Sequence, residues 1–163
     1  MLSELEQLLS CRRERENRAA AALCQARARL DRAEAEAEAA RARLDEHHRE
    51  RKTRQDKLYR DSLRTQLSKY EVDDLNIELD LMAEETEGFL RQLQGAEAAL
   101  TVATKEVEAA AAVYRRHRQA GDRFGHLVDD VAERERRRRE QAEEFAVEDD
   151  LGDRRVAGQE GMG

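Results

Sequence analysis

Two apolar series of seven-residue spacing, mirrored about residues 64–70, constrain this chain more than anything else in its sequence. The first runs through Leu2, Leu9, Glu16, Leu23, Leu30, Ala37, Leu44, Arg51 and Leu58. Three places further on in each heptad stand Leu5, Arg12, Ala19, Ala26, Ala33, Ala40, His47 and Arg54. The second runs through Val72, Leu79, Thr86, Leu93, Leu100, Val107, Tyr114, Gly121 and Val128, accompanied by Leu75, Met82, Phe89, Ala96, Ala103, Ala110, His117, Phe124 and Val131. An apolar period of about 3.5 residues held this long specifies helices that wind around a partner helix. No proline interrupts either series. Two such helices of similar length can be each other's partner, so the predicted fold is all-α: a long antiparallel two-helix coiled-coil hairpin.

The mirror extends to the interruptions. Folding the chain about its midpoint sets Leu2 against Val131, Leu9 against Phe124, Leu30 against Ala103 and Leu44 against Phe89. The same operation sets Glu16 against His117, Arg12 against Gly121 and His47 against Thr86. Small and polar residues thus meet at shared levels. Helix 1 is predicted over about 3–63, a turn over about 64–68, and helix 2 over about 69–145. The turn holds no Gly or Pro, but Ser68 with Glu71 matches a capping box, and Asp73 and Asp74 suit a helix N-terminus. Residues 146–163 are acidic, then Gly-rich with Gly152, Gly158, Gly161 and Gly163, and are expected to form a disordered tail.

Composition argues against a globular core. Charged residues make up 41% and aromatic residues 4%, so the chain can bury one narrow stripe and little more. The net charge of −7 is spread unevenly: residues 1–60 carry 15 Lys and Arg against 12 Asp and Glu, residues 61–130 carry 8 against 15. A basic first arm beside an acidic second arm favours their pairing and leaves no net basic surface for nucleic acid. Cys11 and Cys24 lie roughly 20 Å apart along one helix at a rise of about 1.5 Å per residue, too far for a bridge. Free thiols, an early-charged N-terminus and the lack of a membrane-spanning apolar run point to a soluble cytoplasmic protein.

Candidate chemistry is sparse. His47 and His48 sit beside Asp45, Glu46 and Glu50, but adjacent helical residues point about 100° apart and do not converge on a metal. They read as a polar seam layer plus one exposed histidine. Glu16 with His117 reads as a register-fixing layer, not a proton-transfer pair. No nucleophile elbow, phosphate loop or Cys/His dyad occurs. The chain is therefore expected not to be an enzyme, and to need neither cofactor nor metal. Arg136, Arg137, Arg138 and Arg139 are interleaved with glutamates, so pairing at i,i+4 comes first, a protein contact second and nucleic acid third. Tyr59, Leu63, Leu67, Ile77 and Leu81 fall off the two seam positions near the turn. Either they form an exposed contact surface, or the turn folds back and buries them.

The C-terminal block Phe124, Gly125, His126, Leu127, Val128, followed by a charged helix ending Gln141, Ala142, Glu143, Glu144, Phe145, resembles the type III secretion central stalk family. The basic run Arg12, Arg13, Glu14, Arg15, Glu16, Asn17, Arg18, Ala19 is similar to that family's N-terminal arm. This is the YscO group of injectisome proteins, related to the flagellar FliJ protein. The likeness covers about residues 1–145; the middle matches only in heptad character, and the tail beyond Leu151 is outside the pattern.

The mirrored seam lets the chain pair with itself, so a monomer is expected. The resemblance implies a stalk at the cytoplasmic face of a secretion apparatus, touching the membrane only through that apparatus. Its paired termini would enter a hexameric secretion ATPase through Arg12, Arg15, Arg18, Phe124, Leu127, Val128, Arg134, Arg136, Arg137, Arg138 and Arg139. The turn end, with Tyr59, Leu63, Leu67, Ile77 and Leu81, would face the nonameric export gate or a secretion chaperone. Two other classes stay open: a generic coiled-coil scaffold or hairpin chaperone, and a nucleic-acid-binding helical protein, which the acidic balance disfavours.

Overall fold

The computed structural model describes residues 1–161. It holds two helices, α1 (Leu2–Arg64) and α2 (Lys69–Glu160), joined by residues 65–68, and no strand among the described residues. Helix-forming Ala, Glu, Arg and Leu dominate both. Glu4 lies in the first turn of α1 and Arg64 in its last, each where the helix dipole favours it. The start of α2 is a reciprocal capping box. The Glu71 amide donates to Ser68 Oγ at 3.3 Å, and the Ser68 amide donates to Glu71 Oε2 at 3.2 Å.

The chain packs as two units, one spanning Ala21–Ala112 and the other joining Met1–Ala20 to α2 from Val113 onward. In the first, the turn unit, the helices pack antiparallel as a hairpin. Leu23, Ala26, Ala33, Ala37, Ala40 and Leu44 of α1 are buried, as are Met82 and Ala103 of α2. Ion pairs bridge the arms at Arg29–Glu106, Arg41–Glu97 and Arg54–Glu85, each 3.4 Å. All are about half exposed, so each contributes only ~0–1 kcal/mol.

A polar layer crosses the seam of the same unit. His47, 3% exposed, places Nε2 2.8 Å from Thr86 Oγ1. Thr86 donates its one proton to the Met82 carbonyl (2.9 Å) and accepts from Arg51 Nη1 (2.8 Å). Its remaining lone pair can only accept, so His47 carries its proton on Nε2. The imidazole also stacks against Phe89, ring centroids 4.7 Å apart.

In the terminal unit Ala19, Gly121 and Val128 are buried and Leu2, Leu5 and Leu9 are half-buried. Two seam expectations are corrected here. Arg13, not Arg12, crosses to Gly121: its guanidinium lies where a Cβ on Gly121 would sit 3.2 Å from Nη1 and one on Gly125 3.4 Å from Nη2. The two glycines form a notch that admits it. Nη1 then reaches Asp122 at 3.1 Å and Glu16 at 2.8 Å. Hydrogen bonds to Glu16 first, then to Asp122, hold the Arg13 pKa above its ordinary value. Glu16 is thereby drawn to Arg13, and it makes no ion pair with His117 among the described residues.

The seam departs from strict heptads near the turn as well. Arg54 is exposed while Gln55 is half-buried, and Val72 is exposed, so the α2 seam opens at Leu75. At the other end α2 passes the boundary expected near residue 145 and stays helical to Glu160. Every residue from 136 to 161 is exposed. No proline stops the helix there, and local pairs such as Arg154–Asp150 (3.4 Å) supplement its own hydrogen-bond ladder. The tail expected over 146–163 is thus an unpacked helix as far as Glu160, and residues 162 and 163 lie outside the described residues.

Candidate interaction surfaces

The terminal unit presents a basic face with an aromatic element. Arg12, Arg15 and Arg18 are all exposed, spaced three apart on α1. The Arg12 guanidinium stands over the Phe124 ring, 5.2 Å from its centroid, within cation–π range. Phe124 is half-buried and Leu127 exposed, and with Arg12, Ala120 and Arg123 they line an open groove of about 300 Å³. Val128 is buried, so it supports this face from beneath instead of presenting itself to a partner.

Arg134, Arg136, Arg137, Arg138 and Arg139 are exposed on the part of α2 that follows. Local pairing engages only two of them. Arg136 takes Glu133 (3.0 Å) and Glu140 (3.8 Å), and Arg137 takes Glu133 (3.3 Å). Arg134, Arg138 and Arg139 make no ion pair among the described residues, leaving three cations for an external anion.

The turn unit presents a different surface. Leu63 is 87% exposed, Ile77 56%, and Tyr59, Leu67 and Leu81 are exposed too. The four-residue connection leaves no chain to fold back over them. Tyr70 joins the same exposed set, as does Val72, which the heptad series had placed in the seam. An open groove of about 480 Å³ runs between the end of α1 and the start of α2, with Leu58 and Leu75 in its lining.

No comparable site emerges around the histidines. His47 is sealed in its layer and His48 is exposed. Among the described residues no group of three or more His, Cys, Asp or Glu could hold a metal ion.

A family model described as type III secretion protein YscO matches residues 5–152. The chain belongs to the YscO family. That match takes in both units, both exposed surfaces, and most of the unpacked part of α2. No curated protein and no solved structure matches this YscO-family chain. No helix among its described residues is long and apolar enough to cross a membrane.

Proposed function

We propose that the chain is the non-enzymatic central stalk of a type III export apparatus, working at its cytoplasmic face and needing no cofactor. The observation that carries this reading is the pairing of the chain's two terminal arms in one unit under a basic, aromatic-centred face. Arg12 over Phe124, with Arg15, Arg18 and Leu127 beside it, offers cations and apolar area together. Such a face suits the lumen of a hexameric ATPase, with the unpaired Arg134, Arg138 and Arg139 adding reach. The apolar surface of the turn unit is separate and contacts the nonameric export gate, with escort of secretion chaperones as a further role. An asymmetric hairpin inside a symmetric ring binds some subunit conformations better than others. That differential affinity is what couples nucleotide turnover to a second partner.

The test is ring binding and ATPase stimulation by a cognate hexameric secretion ATPase. Arg12→Glu, Arg15→Glu and Arg18→Glu together should abolish both while leaving helical circular dichroism intact. Unchanged binding would place the contact elsewhere. A wild-type chain that binds the export gate but never the ring would make it a scaffold or hairpin chaperone.

A further inference from the structure

Across the turn unit, three arginines of α1 meet acids on α2: Arg29 with Glu106, Arg41 with Glu97, Arg54 with Glu85. One step nearer the turn this complementarity fails. The groove there is lined by Asp61 of α1 and by Glu71, Asp74 and Glu78 of α2, so acid faces acid across it. The Ser68 amide holds Glu71 in the capping box, which leaves three carboxylates. No ion pair among the described residues engages any of the three. The nearby cations Arg60, Arg64 and Lys69 do not line it. Beneath the carboxylates lie Leu58 and Leu75, both only half-buried where their arms run out of seam.

An apolar floor between two helices, walled by unpaired carboxylates, has one complementary occupant. We propose that this groove receives a cationic amphipathic helix from a partner protein, Leu- or Ile-like side chains down and Lys or Arg against Asp61, Asp74 and Glu78. A third helix lying along the pair buries the two leucines, in the helix-in-groove mode. Cations brought to the rim relieve a like-charge cluster that the fold leaves uncompensated. Phosphate backbones are repelled by the same three groups, which excludes nucleic acid. The inference rests on reading the turn as a partner-binding surface and adds the chemistry of what binds.

The test uses the full chain and a synthetic Leu/Lys amphipathic peptide of about three helical turns, with a Leu/Glu peptide of the same pattern. Fluorescence anisotropy should show the Leu/Lys peptide binding and the Leu/Glu peptide not binding. Neutralising the groove (Asp61→Asn, Asp74→Asn, Glu78→Gln) should weaken binding on the order of tenfold. A control that removes the same charge elsewhere (Glu84→Gln, Glu108→Gln, Asp129→Asn) should leave it unchanged. Equal losses in both variants, equal binding of both peptides, or wild-type binding that does not fall with salt would overturn the proposal. The salt titration needs no variant and stands even if the neutralised chain folds poorly. A purified export-gate domain separates this from the broader reading. If Leu63→Ser with Ile77→Ser loses the gate while the neutralised groove keeps it, the surface is right and the cationic partner wrong. If neither variant loses it, both fall.

Discussion

Thr86→Val is the sharpest perturbation the seam allows. Valine nearly matches threonine in shape, so the change deletes one oxygen and little volume. That oxygen accepts from His47 Nε2 and Arg51 Nη1, both at 2.8 Å. Arg51 is only half-buried and can turn to water, but His47 is 3% exposed and cannot. A buried N–H stripped of its acceptor costs about 1–3 kcal/mol, so a loss of about 2 kcal/mol is expected. With a urea slope of about 2 kcal/mol/M, the unfolding midpoint followed by circular dichroism should fall by about 1 M. Removing both partners should undo the damage, because an apolar pair leaves nothing unsatisfied. His47→Leu with Thr86→Val is therefore expected near wild-type stability, with a coupling above ~1 kcal/mol in the double-mutant cycle. A neutral Thr86→Val, or a double variant whose losses simply add, would refute the layer as drawn.

Three further outcomes are expected. In a chain with the exposed Cys11 and Cys24 changed to Ser, Leu30→Cys and Ala103→Cys should form an intrachain disulfide; a product linked only between chains on a denaturing gel would contradict the register. Truncation after Phe145 should reduce the helical signal yet move stability by less than about 0.5 kcal/mol, since every described residue removed is exposed. A lower unfolding midpoint would show that this stretch packs. Leu63→Ser with Ile77→Ser should leave thermal stability unchanged while weakening export-gate or chaperone binding and blocking secretion; a destabilised chain would mean that these side chains are core.

The seam was legible because its chemistry is periodic. Leu23, Ala26, Ala33, Ala37, Ala40 and Leu44 sit on heptad positions and are buried, and the Ser68–Glu71 box could be read from two residues. Heptad counting loses accuracy where side chains and helix geometry intervene. A straight helix drifts about 20° per heptad against a strict seven-residue repeat, so by the end of α1 the inward residue is Gln55 and not Arg54. The exchange of Arg12 for Arg13 has another source. A notch at Gly121 and Gly125 is visible only once the facing arm supplies a guanidinium to fill it. The terminal basic face was readable as residue types, but the stacking of Arg12 on Phe124 depends on which side of α2 faces α1. The acidic groove left a faint sequence trace: Asp61 stands one heptad after Arg54, which pairs across the arms with Glu85.

Alanine fills much of the seam, and a methyl group has no rotamer. Leucine or isoleucine knobs interlock, so shifting one arm by a turn forces each out of its socket. A methyl on a methyl meets almost the same surroundings after such a shift, and the alanine stretches around Ala33, Ala37 and Ala40 hardly distinguish one alignment from the next. Alignment is therefore held by the groups that cannot move without losing a partner. In the turn unit these are His47 and Thr86, and in the terminal unit Arg13 with Asp122. Each unit carries its own pin in an otherwise smooth track. A chain stripped of both pins would keep its helices and its apolar burial but would sample several alignments, like a ratchet that has lost its pawls.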